Sequence, residues 1–265
     1  FILTLLCAIA YLPGLTNHGL TNWQESVRLA AAREMAAAHD GGGDWITPTI
    51  HGIPYLAKPP LVYWCQLGLA TLRGAAAPTV FDLRLTVALA GWLGVLATYG
   101  AARSLLRGAF EDPTRAASAA FCAAAMLATG VLTTRAARIG ELDILLVPCT
   151  AAAVWAAWRA ERVADRQMAD GRMARWVGAG VLGGLAFAGL ALAKGPPGML
   201  AAGLAVQVGG LLAAWVDEKT GPRKVDVVFI GGIGLLLFSL GLGFTRGKPS
   251  SFNEGLGVVV IGKSA

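Results

Sequence analysis

Hydrophobic positions along this chain fall in long unbroken stretches, not in the regular alternation with polar positions that marks a soluble helix or strand. Seven stretches stand out, at 1–15, 80–102, 116–133, 143–158, 176–193, 197–216 and 226–244. A helix needs about 20 apolar residues to cross a bilayer, and stretches rich in Ala, Leu and Gly suit closely packed membrane helices. A membrane β-barrel would alternate apolar and polar residues, which these stretches do not. The pattern predicts an all-α integral membrane protein. The first stretch opens at Phe1, and no small-residue cleavage site comes after Tyr11-Leu12-Pro13-Gly14. It therefore reads as a retained helix, not as a signal peptide.

Residues 16–72 interrupt this pattern with a long polar loop. A loop of that length in a compact protein is either functional or disordered, and its Trp, Pro and Tyr content argues against disorder. Asn22 is placed to cap a helical run from Ser26 to Ala38, with Glu25 closing a capping box. Gly41-Gly42-Gly43 would connect this helix to the next short one, and Leu61 to Leu72 form an amphipathic segment suited to the membrane surface.

Composition agrees: 55% of the 265 residues are hydrophobic, 14% are charged, and mean hydropathy is +0.60. Soluble domains carry roughly 25% charged residues. The net charge of +6 raises the possibility of a nucleic-acid partner, but its distribution speaks against one. Segments 103–115, 159–175 and 217–224 hold half of the 22 basic residues, whereas 16–72 contains only Arg28, Arg33 and Lys58. The positive-inside rule makes the three basic segments cytoplasmic. The long loop and the turns at 134–142 and 194–198 then share the outer face of the cell membrane. Cys7, Cys65, Cys122 and Cys149 are widely spaced, and His18, His39 and His51 lack a metal-ligand spacing, so neither a disulfide framework nor a zinc site is expected.

The order of motifs in the long loop is more specific. Arg33-Glu34-Met35 is followed by Gly43-Asp44-Trp45 with Pro48, then Gly52-x-Pro54-Tyr55 and Lys58-Pro59-Pro60-x-x-Tyr63-Trp64. This resembles the first outer loop of the polyprenyl-phosphate-sugar-dependent glycosyltransferases, the group of the aminoarabinose transferases and protein mannosyltransferases. The resemblance implies a GT-C-type multi-span helical bundle over 1–244, in which the outer loop 16–72 carries short interfacial helices. Residues 245–265 have no assignment, and because relatives are longer the chain reads as a fragment or shortened form.

By the same resemblance, a sugar passes with inversion from a polyprenyl-phosphate carrier to a lipid, glycan or protein acceptor. Lys58 and Lys194, the latter in a Lys194-Gly195-Pro196-Pro197-Gly198 turn, would bind the donor phosphate, helped by Arg135 and Arg138. Glu25 and Asp143 are the candidate catalytic carboxylates, and Gln24, Tyr55 and Tyr63 would line the substrate pocket. From the residues alone, Lys58 reads equally as an interfacial lysine, and Asp143 as a helix-terminus charge.

The family pattern places Asp at position 24 and, in metal-using relatives, Glu at 57, where this chain has Gln24 and Ala57. A hard divalent cation needs several oxygen ligands, so no metal is assigned. A degenerate relative that binds a polyprenyl lipid or a partner without transfer is the rival reading. A transporter would place polar residues at mid-membrane, and the stretches contain few besides Gln207.

Overall fold

The computed structural model describes residues 1–40, 45–107, 110, 112–164, 172–196, 198–200 and 203. The stretch 226–244, most of 197–216 and the tail 245–265 lie outside the described residues, as does Asp44. The element order is α1 (Ile2–Tyr11), α2 (Trp23–Asp40), β1 (Thr49–Ile50), β2 (Ile53–Pro54), α3 (Leu61–Leu72), α4 (Val80–Leu106), α5 (Pro113–Thr129), α6 (Val131–Arg138), a 3₁₀ turn at Leu142–Leu145, α7 (Leu146–Ala164) and α8 (Arg172–Lys194). Among the described residues, two helical segments, Val80–Leu106 and Leu142–Arg159, are long and apolar enough to cross a membrane, and a third qualifies if α5 and α6 count as one span.

Helix α4 is the hub, packing against α1, α3, α5, α6 and α7. Small residues permit these close approaches. Ala116, Ala120, Ala124 and Ala128 form a fully buried stripe along α5 at four-residue spacing. A Cβ on Gly94 would stand 2.7 Å from Val147 Cγ1, so α4 and α7 cross there almost backbone to side chain. Gly189 plays the same part between α7 and α8, where its Cβ would lie 2.7 Å from Cys149 Sγ.

The expected span at 116–133 is not a single helix. It breaks at Gly130, and α6 departs at 55° from α5. A break frees backbone groups that lipid cannot satisfy. Here the carbonyl of Ala128 accepts the Tyr11 hydroxyl at 3.0 Å and the Thr134 hydroxyl at 3.4 Å.

The described part of the long loop is ordered, as its Trp, Pro and Tyr content predicts, and carries α2, a hairpin and α3. Helix α2 runs five turns, and the Glu25 amide donates to Asn22 Oδ1 at 2.8 Å, as capping requires. The antiparallel pair β1–β2 was not expected. His51 and Gly52 turn it with φ of 54° and 74°, the geometry of a type I′ hairpin. Glu34 clamps that turn by accepting the His51 amide at 2.6 Å and the Gly52 amide at 3.1 Å. Its neighbour Arg33 donates to the Pro78 carbonyl at 2.9 Å, and Met35 is buried in the core, so these two hold α2 onto the bundle while Glu34 holds the hairpin onto α2.

Candidate functional site

At the end of the bundle where α2 and α3 lie, burial forces the charged side chains into specific pairs. Helix α4 begins with Thr79 and Asp82 joined in a capping box, and Arg73 grips the buried Asp82 carboxylate through two bonds of 2.8 and 2.6 Å. One turn further, Arg84 is buried against the loop that enters α2. It donates to Glu25 at 3.0 and 3.2 Å and to the carbonyls of Leu15, His18 and Gly19 at 2.8, 2.9 and 2.7 Å. Glu25 is completely buried and also accepts the Thr21 amide and hydroxyl at 2.7 and 2.8 Å. Burial pushes its acidity towards the neutral form, but the bonds from Arg84 and Thr21 outweigh burial and hold its carboxyl below the usual range.

Three residues along α2, Arg28 is also buried. It donates to Gln24 Oε1 at 2.7 Å and to the Gly140 carbonyl. Desolvation lowers its pKa, opposed by the fields of Tyr63, Asp143, Tyr55 and Glu141. Gly140 adopts φ +66°, and a Cβ there would press on Glu25 at 3.1 Å, so the turn carrying Asp143 rests directly on the Glu25 side chain. The Tyr63 hydroxyl is buried with no hydrogen-bond partner among the described residues.

Asp143 and Lys194 meet in an ion pair of 2.5 Å, with side chains 61% and 29% exposed, so the pair opens on solvent. Lys194 ends α8, where the helix dipole favours a cation, and Gly195 closes the helix at φ +69°. A Cβ on Gly195 would lie 3.9 Å from Pro59 Cγ, which sets the Lys58-Pro59 corner against the Lys194 turn. Lys58 is half-buried and has no hydrogen bond or ion pair among the described residues. The structure thus bonds Gln24 to Arg28, pairs Asp143 with Lys194 and sets the Lys58-Pro59 corner against the Lys194 turn.

Arg135, two-thirds exposed, pairs loosely with Glu141 at 3.9 Å. Arg138 turns instead to α1, donating to the carbonyls of Ala10 and Pro13 at 3.1 and 2.7 Å. Sequence reasoning missed the parts played by Arg28 and Arg84. Arg84 carried a usable signal, since an ionisable residue inside an apolar stretch needs a partner or a purpose.

Among the described residues there is no group of three or more His, Cys, Asp or Glu able to hold a metal ion. With Gln24 bonded to Arg28 and Glu25 to Arg84, the described residues do not fit a divalent cation.

The helical membrane bundle has the fold of the GT-C glycosyltransferases. Residues 57–240 match the family described as dolichyl-phosphate-mannose-protein mannosyltransferase, and the chain belongs to that family. It is 29% identical over 189 residues to the undecaprenyl phosphate-alpha-4-amino-4-deoxy-L-arabinose arabinosyl transferase 2 of Pseudomonas fluorescens, covering 70% of this chain and 29% of that protein. Against the undecaprenyl phosphate-alpha-4-amino-4-deoxy-L-arabinose arabinosyl transferase of Pseudomonas aeruginosa it is 31% identical over 106 residues, covering 40% of this chain and 18% of that one. The chain therefore spans less than a third of the length of these relatives. Its fold is that of ArnT from Cupriavidus metallidurans bound to undecaprenyl phosphate, with a TM-score of 0.61 and 22% identity over 90% of this chain and 40% of that one. The apo form gives a TM-score of 0.60 at 21% identity over 93% and 42% of the two chains.

Proposed function

We propose that this protein transfers a sugar from a polyprenyl-phosphate donor to an acceptor hydroxyl at the outer face of the cell membrane. The observation that carries this reading is the open Asp143–Lys194 pair at 2.5 Å, set beside the Lys58-Pro59 corner and the buried charge of Arg28. The names of the relatives, and the undecaprenyl phosphate bound by the Cupriavidus protein, support the donor class.

In this reading Lys58 and Lys194 bind the donor phosphate, and Arg28 adds a fixed positive charge behind them. The acceptor oxygen attacks the anomeric carbon on the face opposite the phosphate. The carbon–oxygen bond to phosphate breaks, its electron pair leaves with the phosphate, and the cations stabilise the charge that grows there. Asp143, released as Lys194 turns to the phosphate, takes the acceptor's proton. Arg135 extends the basic rim. Glu25 holds Arg84 and the turn beneath Asp143, Gln24 orients Arg28, and Arg138 fastens α1. Tyr55 and Tyr63 line the pocket.

Radiolabelled polyprenyl-phosphate sugars presented to purified membranes with wild type and Lys58→Ala test this directly. Transfer by wild type that disappears in the variant is the expected result. Donor binding without transfer from any donor would favour the second reading, a lipid-binding relative that has lost catalysis. Gln24, an amide bonded to Arg28 in place of the family's acid, is the observation in its favour.

A further inference from the structure

Helix α3 is amphipathic in the reverse of the soluble sense. Its buried side carries the polar Tyr63 and Gln66 among apolar neighbours. The opposite side carries Leu61, Trp64, Cys65, Gly68, Leu69 and Leu72, all half-buried or exposed, with Leu72 85% exposed. Thr71, also exposed, donates its hydroxyl to the Leu67 carbonyl at 2.9 Å, so that side needs no hydrogen bond from water. The β1–β2 hairpin continues this surface. The Trp64 indole donates to the Trp45 carbonyl at 2.8 Å, which ties the arm leading into β1 to α3. The Tyr55 amide donates to the Pro48 carbonyl at 2.7 Å and closes the second arm onto the first. Ile46, Ile53 and Leu56, carried by these arms, are 73, 59 and 71% exposed.

Single exposed apolar side chains are ordinary, but a contiguous set marks an interface. Its charge pattern selects the partner. From Trp45 to Phe81 the chain contains no Asp or Glu, while Lys58 lies between the hairpin and α3 and Arg73 closes α3. Cations without acids, at the margins of an apolar surface, match the phosphates of a lipid headgroup layer. Tryptophans such as Trp45 and Trp64 favour the same layer. We propose that the β1–β2 hairpin enters the membrane interface together with α3. It would act as a lipid-seated tongue, with Ile46, Ile53 and Leu56 against acyl chains and Lys58 at the level of the phosphates. Lys58, half-buried between Leu56 and Leu61, has the long apolar stem that such a position requires. The inference does not depend on sugar transfer, since a lipid-binding protein without catalysis would use the same seat.

The test places an environment-sensitive fluorophore on Ile53→Cys or Leu56→Cys in the full chain, reconstituted in nanodiscs containing anionic phospholipid. Cys65→Ala, Cys122→Ala and Cys149→Ala remove competing thiols, and Cys7 is fully buried. Leu93→Cys, 60% exposed along the α4 span, calibrates contact with lipid. Both hairpin labels are expected to be quenched by nitroxide-bearing lipids nearly as strongly as the Leu93→Cys label, and only weakly by aqueous iodide. Strong iodide quenching at either position means that the hairpin stands in water and overturns the inference. Protection from both quenchers means that protein, such as a second copy of the chain, covers the surface, and overturns it as well. Lipid quenching that needs added undecaprenyl phosphate would assign the surface to an isoprenoid chain instead, which also overturns it.

Discussion

Arg84 saturates its guanidinium on Glu25 and three loop carbonyls, with every donor–acceptor distance between 2.7 and 3.2 Å. An arginine offers five N–H donors in a fixed fork. Here that fork fixes the first turns of α4 to the chain that enters α2. Because Gly140 lies on Glu25, the same pair also sets the height of the turn that carries Asp143. Breaking a buried pair by removing one partner costs about 3–5 kcal/mol, because the remaining charge is left uncompensated. Arg84→Met and Glu25→Ala should each lower the thermal unfolding midpoint in detergent strongly, and the double variant should lose less than the sum. Single variants as stable as wild type would show that the clamp does not hold the fold.

The same pair dictates how stability responds to acid. Glu25 has a folded pKa below its ordinary value of 4.5, through Arg84 and Thr21 and against the opposing effect of burial. A carboxylate depressed in the folded state contributes stability above the unfolded pKa and loses it as pH falls through the folded one. Glu34, also depressed, acts in the same direction. The melting temperature should therefore hold from neutral pH down to about 4.5 and then drop, and Glu25→Gln should flatten that drop. Melts recorded across this range that showed stability rising on acidification would contradict this role for Glu25.

Gly140 offers a cleaner probe of the coupling, since it bears no chemistry. Its φ of +66° suits glycine, and an added Cβ would stand 3.1 Å from Glu25 Cγ and 3.2 Å from Leu83 Cδ2. The left-handed backbone alone costs roughly 1–2 kcal/mol for a residue with a Cβ. Gly140→Ala should destabilise by at least that much and displace the carbonyl that receives Arg28. A loss of stability together with a loss of sugar transfer, measured on the same preparation, is the expected outcome. Unchanged transfer in a destabilised variant would separate the turn from the site.

How much the sequence revealed depended on how local each signal was. The apolar stretches and the long loop are properties of windows of residues, so those within the described residues could be read directly, whereas Asp143 and Lys194 were read as two separate features and their pairing was not foreseen. The break at Gly130 was hidden because hydropathy continues through it and carries no direction. Its repair comes from Tyr11, 117 residues away from Ala128. Arg138 was expected at the donor phosphate and instead holds α1, because its partners are backbone carbonyls that no side-chain pattern announces. The hairpin was masked by prolines on either side, although Gly52 after His51 was a usable turn signal. Arg28 was counted only as charge. Its importance lies in burial, and burial is decided by α3 and the 3₁₀ turn.

The Asp143–Lys194 pair yields the sharpest division of roles. At 2.5 Å each side chain is the other's counterion, and both retain access to solvent. If Asp143 removes the acceptor proton, Asp143→Asn should reduce kcat by about 10²–10⁴-fold, the usual worth of general base catalysis. Donor binding should not weaken in that variant, because Lys194 loses its competing partner and is freer to meet phosphate. Lys194→Ala should act oppositely, raising the donor KM and leaving Asp143 accessible for the proton. Lys194→Arg should restore part of the affinity, since the charge returns with a different shape. Steady-state kinetics together with equilibrium binding of undecaprenyl phosphate distinguish these effects. A pair that served only to join α8 to the 3₁₀ turn would give the same modest loss from either side, with stability and turnover falling together.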